Sequence, residues 1–218
     1  MNRQRTIFLV GLVSFGLGAF LLAKHFYQKN QRSEASAQVQ AGATALSRSG
    51  AFVIGRAAAP VKIVEFLDPE CEACAAFYPF SKAILSEFVE KVSLEVRYAP
   101  FHGNSRRAIR MLEAARLQNK YLEVLEVMFQ TQHVWASHHD PKFDELWGLI
   151  PRTGVDVERL RRDMELPEFE TLIEQDLRDG LALGVRRTPS FFVNGEPLLE
   201  FGPVPLRSLV LKHLSQEK

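Results

Sequence analysis

Cysteine is nearly absent from this chain of 218 residues: only Cys71 and Cys74 occur. Three positions apart, they close no long loop, so no scaffold of long-range disulfides holds the fold, and any sulfur chemistry is concentrated at one place. An excess of charge is missing too. Lys and Arg number 27 against 26 Asp and Glu, a formal net charge of +1, which leaves a nucleic-acid partner no electrostatic footprint. No Gly-rich phosphate loop, H-E-x-x-H or G-x-S-x-G pattern is present, and no internal repeat. What remains is ordinary globular composition, 46% hydrophobic and 24% charged, with enough length for one sizeable domain and something appended. Disorder, collagen and a multi-span membrane protein are excluded on these grounds.

One apolar run breaks this pattern. Ile7 to Ala23 (IFLVGLVSFGLGAFLLA) is uncharged over 17 residues, a rise of about 26 Å as a helix, close to the roughly 30 Å of a bilayer core. It predicts a transmembrane anchor behind a tail of residues 1–6. The competing expectation is a cleaved signal peptide, whose first small-x-small site, Ala35-Ser36-Ala37, lies 12 residues past Ala23. Arg3 and Arg5 on one side against Lys24, Lys29 and Arg32 on the other leave the orientation open. Residues 24–50 are polar and without apolar periodicity, as a tether would be.

Val61 to Leu67 (VKIVEFL), between Pro60 and Asp68-Pro69, has the length and the Val, Ile and Phe content of a buried strand. From Cys71 the spacing turns helical, with Phe77, Phe80, Ile84, Leu85 and Phe88 three and four apart, and Val92 to Tyr98 reads as a second strand. A strand, helix, strand unit implies parallel strands joined by a right-handed crossover. Residues 105–183 carry almost no strand signal. Helical stretches are expected at Ser105 to Gln118, Tyr121 to Thr131, Lys142 to Ile150, Val155 to Met164 and Pro167 to Leu183, together a helical insertion. Ser190 to Val193, the Asn194-Gly195 turn and Pro197 to Phe201 predict a hairpin, and Pro205 to Leu214 a closing helix. An α/β domain is thus expected in two parts, 51–104 and 184–218, around the insertion at 105–183.

The C-x-x-C sits where the first strand gives way to a helix. Free backbone N–H groups and the positive dipole end of a first turn stabilise a thiolate, which makes Cys71 the exposed nucleophile and Cys74, one turn inward, the resolving thiol. Two packed free cysteines, or half of a zinc site, are the plainer alternatives; no second pair of ligands completes the latter. Glu65 stands six before Cys71 in an otherwise apolar strand. If buried, its pKa is raised and it can exchange protons with Cys74; if the position is half-exposed, it is an ordinary strand carboxylate. Thr188-Pro189 precedes the hairpin, and an X-Pro bond at a strand entry can be cis.

Strand, C-x-x-C, helix, helical insertion, Thr188-Pro189 and the Asn194-Gly195 hairpin together resemble the DsbA-like branch of the thioredoxin superfamily, over about residues 51–218. The resemblance implies a thioredoxin fold interrupted by a helical domain, with Cys71 attacking, Cys74 resolving, Pro189 as the cis-proline facing them, Glu65 at the buried-acid position and Pro79 as the helix-kinking proline. The chain departs from the strongest oxidases of that branch by having Glu72-Ala73 between the cysteines in place of proline and histidine. A carboxylate there opposes thiolate formation and makes the disulfide less oxidising. Asp68, Glu70 and Glu72 render the surroundings acidic, while Arg187 or Arg186 either offsets them or caps the preceding helix. Thr188 resembles isomerase and reductase members, but residues 24–50 are too short and polar for the dimerisation domain of the isomerases.

The expected protein is a thiol:disulfide oxidoreductase whose partners are protein thiols and disulfides as substrates, a membrane redox partner and the lipid bilayer through Ile7 to Ala23. It is expected to be a monomer in the bacterial inner membrane, single-pass, with its catalytic domain in the periplasm, where oxidative folding needs disulfide exchange. The thiols suffice, so no organic cofactor and no metal is expected. The alternatives are a disulfide reductase or isomerase kept reduced by a membrane partner, and a tethered copper-binding protein using the thiolates with His102, His133, His138 and His139.

Overall fold

Branched and aromatic residues concentrated in two short runs build the centre of the molecule. In the computed structural model, which describes residues 17–27, 29, 43–137 and 141–216, five strands form one sheet: β1 (Phe52–Ile54), β2 (Val61–Leu67), β3 (Val92–Tyr98), β4 (Ser190–Val193) and β5 (Glu196–Pro197), in the order β1-β3-β2-β4-β5. β2 and β3 are parallel with Val61 opposite Val92 and Leu67 opposite Tyr98, and the other pairings are antiparallel. Parallel neighbours need a crossover, which α1 (Glu72–Glu87) supplies, with Pro79 inside it. β2 and β3 are buried at every position but Lys62, because both faces of the sheet are covered.

The inserted helical subdomain contains α2 (Ser105–Arg116), α3 (Tyr121–Gln130) and α4 (Pro167–Ala182), with shorter turns between them, and α5 (Pro203–Gln216) closes the chain. On one sheet face Ile63, Leu67, Leu94 and Val96 pack with Cys74, Phe77 and Ile84 of α1 and with apolar residues of α2 and α3. On the other, Val64, Phe66 and Phe192 pack with Leu183 and Val185. α4 approaches that second face so closely that a Cβ at Gly180 would lie 2.9 Å from Cε1 of Phe66.

The expected helix at Lys142 to Ile150 is broken into a 3₁₀ turn at Phe143–Glu145, an α-turn at Leu146–Leu149 and a second 3₁₀ turn at Ile150–Thr153, where Pro151 cannot donate to a continuing helix. The hairpin forms, but its second strand is Glu196–Pro197 rather than Pro197 to Phe201. β1 adds an edge strand that the sequence reading did not contain.

The expectation of a spanning helix over Ile7 to Ala23 is corrected. Among the described residues no helix is long and apolar enough to cross a membrane. Residues 17–27 are helical and include Lys24 and His25. Residues 7–16 of the run, the tail 1–6 and residues 30–42 of the tether lie outside the described residues. Lipid-bilayer contact through Ile7 to Ala23 and single-pass inner-membrane placement rested on that helix and are corrected with it.

Candidate active site

β2 ends at Leu67, and four residues later Cys71 forms the N-cap of α1 with extended backbone, φ −76° and ψ 120°. The Cys71 N–H donates to the Asp68 carbonyl at 3.1 Å, and the Cys71 carbonyl accepts from the N–H groups of Cys74 at 3.1 Å and Ala75 at 3.2 Å. The first sulfur therefore stands at the positive end of a 16-residue helix. Both cysteines are free thiols; Cys71 is 8% exposed and Cys74 wholly buried.

Strand pairing explains how a residue 117 positions away reaches this sulfur. β4 runs antiparallel to β2 with Ser190 opposite Phe66, so the residues entering β4 arrive beside those leaving β2. The Thr188-Pro189 peptide bond is cis, and the Thr188 carbonyl accepts a hydrogen bond from Cys71 Sγ at 3.3 Å.

The two thiols are driven apart in acidity. Cys71 is held down at about 5, chiefly by the hydrogen bond from Cys74, with burial opposing and the backbone N–H groups of Cys74 and Ala73 assisting. A carbonyl can only accept, so the Thr188 contact holds the thiol form, while the N–H groups and Cys74 serve the thiolate. Cys74 moves up, first through burial and then through its hydrogen bond to Cys71. Glu65 is 2% exposed, and burial alone raises it to about 8. Its charge acts on Cys74.

The acidic neighbours are met by donors. Asp68 accepts from the N–H of Glu70 at 2.9 Å and of Phe101 at 2.8 Å, from Ser105 Oγ at 2.6 Å and from His102 Nδ1 at 2.7 Å. Glu70 accepts from the N–H of Asn104 at 2.6 Å and from Asn104 Nδ2 at 3.2 Å. Glu72, the first residue of α1, is exposed. Arg186 Nη1 donates to the carbonyls of Leu181 and Val185 at 3.0 Å, closing the end of α4, and Arg187 is exposed. Two contributors escaped the sequence reading. Gln132 Nε2 donates to the carbonyls of Pro69 at 2.8 Å and Cys71 at 3.1 Å and ties the loop to the insertion. His102, singled out earlier only as a copper ligand, reaches the site through Asp68; no local motif signals either residue. Among the described residues no group of three or more His, Cys, Asp and Glu is arranged to hold a metal ion; His138 and His139 lie outside them.

Comparison with known proteins places this arrangement. A family model described as thioredoxin matches residues 47–201. The chain is similar to a thioredoxin-like oxidoreductase from Silicibacter pomeroyi, at 26% identity and TM-score 0.67 over 79% of this chain and 95% of that one. It shares its fold with oxidised BdbD from Bacillus subtilis, at 24% identity and TM-score 0.69 over 78% and 95% of the two chains. Among curated proteins, the Na(+)/H(+) antiporter NhaA of Herminiimonas arsenicoxydans is 32% identical over 140 residues, 64% of this chain. The chain spans only about a quarter or less of the length of the curated relatives it matches, 22% of that protein and 25% of its counterpart in Mycolicibacterium vanbaalenii.

Proposed function

From the premise that the chain belongs to the thioredoxin family, whose model matches residues 47–201, we propose that Cys71 and Cys74 exchange disulfides with protein thiols and that the pair works as the oxidant. The fold and the C-x-x-C pair match a thiol-disulfide oxidoreductase of the DsbA-like class. The observation that carries the direction is the acidity of Cys71, held at about 5 at the helix N-terminus: a stabilised thiolate favours the reduced protein and therefore makes the disulfide form the stronger oxidant.

In the proposed cycle a substrate thiolate attacks Cys71 Sγ of the Cys71-Cys74 disulfide. The S–S bond breaks, its electron pair goes to Cys74, and a mixed disulfide to Cys71 remains. Glu65, uncharged at neutral pH because of its burial, gives the Cys74 thiolate a proton. A second substrate thiolate then attacks the substrate sulfur, and Cys71 leaves as a thiolate. The substrate has lost two electrons to the protein, and an external disulfide takes them back. Thr188 and Pro189 line the attacked sulfur; Glu70, Glu72 and Arg187 set the charge around it.

Two measurements test this. A Cys74→Ala chain should accumulate mixed disulfides through Cys71, and the absence of adducts would end the proposal. Equilibration of the Cys71/Cys74 pair against glutathione should give a potential nearer the roughly −120 mV of strong oxidants than the roughly −270 mV of thioredoxin. A value at the lower end would turn the direction to reduction.

A further inference from the structure

The sheet brings a second titratable group to the reacting sulfur. β2 and β3 are parallel with Leu67 opposite Tyr98, and the Ala99 N–H donates to the Leu67 carbonyl at 3.0 Å, so segments 68–71 and 99–102 emerge side by side. Asp68 joins them. Its carbonyl holds the Cys71 N–H, and its wholly buried carboxylate holds His102 Nδ1 at 2.7 Å and the Phe101 N–H at 2.8 Å. An ionised carboxylate only accepts, so Nδ1 carries a proton and the ring is fixed in orientation. The His102 N–H is in turn held by Ser105 Oγ at 3.2 Å. The disulfide-exchange cycle does not use this pair, and Glu72-Ala73 between the cysteines supplies no cation.

We propose that His102, oriented by Asp68, is the positive charge that pairs electrostatically with the Cys71 thiolate and replaces a cation missing from the C-x-x-C itself. The inference rests on the disulfide-exchange function. The groups acting on His102 are Asp68 and Glu70 from the loop after β2 and Cys71 from the N-terminus of α1; the Asp68 hydrogen bond raises its pKa most, burial opposes, and the charges of Asp68, Cys71 and Glu70 raise it further. Coupling is reciprocal: if the thiolate favours the imidazolium, the imidazolium favours the thiolate by the same factor. Asp68 and Glu70, which would repel a bare thiolate, thereby become the means of holding a cation beside it. The benefit is present below the raised His102 pKa and is lost as pH rises through it.

Oxidation supplies a test without a substitution, because the Cys71-Cys74 disulfide has no thiolate. In the full chain, proton NMR titration of His102 should show an acid dissociation constant about three- to tenfold larger in the disulfide form than in the dithiol form. In His102→Gln the acid dissociation constant of Cys71, read from thiolate ultraviolet absorbance, should fall by a similar factor. A tenfold fall makes the pair less oxidising by about 30 mV against glutathione. Identical His102 titrations in both redox forms, with Cys71 unchanged in His102→Gln, would overturn the pairing while leaving disulfide exchange intact. A wild-type Cys71 titrating as an ordinary thiol, with no substrate trapped by Cys74→Ala, would overturn both.

Discussion

Glu65 and Glu95 are neighbours on the central strands, equally buried at 2% exposure, and they meet opposite fates. Glu95 lies across from Val64 and Glu65 from Val96, so the two carboxyls project from opposite faces of the sheet. Glu95 accepts from Ser47 Oγ at 2.7 Å, the Arg48 N–H at 2.9 Å and Lys62 Nζ at 3.2 Å. Beside it Arg97, wholly buried, donates to Asp176 at 2.7 Å and Asp179 at 2.6 Å, and Asp176 also receives Arg48 Nε at 2.7 Å and the Tyr98 N–H at 3.0 Å. Glu65, on the face that carries Cys74, accepts no hydrogen bond among the described residues, and burial alone sets its pKa. A buried carboxylate with partners ties elements together, whereas one without them stores a proton.

The largest expected effect comes from breaking the partnered face. Asp176→Ala takes the carboxylate from Arg48, one of two from Arg97 and the acceptor from the Tyr98 N–H, and should cost about 3–5 kcal/mol by urea unfolding. The acidity of Cys71 should stay unchanged in the protein that remains folded; a shift would mean that the two faces are not independent.

Glu65→Gln tests the other face, with the opposite sign. Below pH 4.5 Glu65 is protonated in folded and unfolded chains alike. Between 4.5 and 8 only the folded chain keeps the proton, so stability falls as pH rises and levels off above 8. The variant should therefore be more stable than the wild type by about 5 kcal/mol at pH 9 and indistinguishable at pH 4, in unfolding titrations at the two pH values. Its rate of disulfide transfer at neutral pH should fall by about 10²-fold, since the amide cannot give Cys74 a proton.

Smaller effects sharpen the contrast. Gly180→Ala presses a methyl onto Phe66 on the partnered face and should cost about 1–2 kcal/mol in unfolding measurements, with exchange activity kept. Gln132→Ala removes the ties to the Pro69 and Cys71 carbonyls and should cost about 1 kcal/mol, accompanied by faster hydrogen exchange at Cys71 and Glu72.

β2 and β3 were legible in the sequence to the residue: β2 is a run rich in branched and aromatic side chains between Pro60 and Asp68-Pro69, and in β3 Val92, Leu94, Val96 and Tyr98 alternate with polar residues. β1 was not: three residues at a sheet edge leave no pattern to count, and only pairing with β3 makes them a strand. The second hairpin strand is only Glu196–Pro197, although the Leu198 N–H still donates to the Phe191 carbonyl at 2.8 Å. At the site, the C-x-x-C and the acid six residues before it were visible because they are local. His102 and Gln132 were not, since their roles depend on partners 34 and 61 positions away. The apolar amino-terminal run was legible as composition, yet composition alone did not make a helix long enough to cross a membrane among the described residues.

The sequence by itself determined the strand, helix, strand unit and the cysteine pair at its junction, because periodicity, turn residues and spacing act over a few positions. Only the tertiary structure decided which carboxylates became structural and which reactive. That choice depends on the donors that strand pairing and the helical insertion carry to each buried charge, and those donors come from distant parts of the chain.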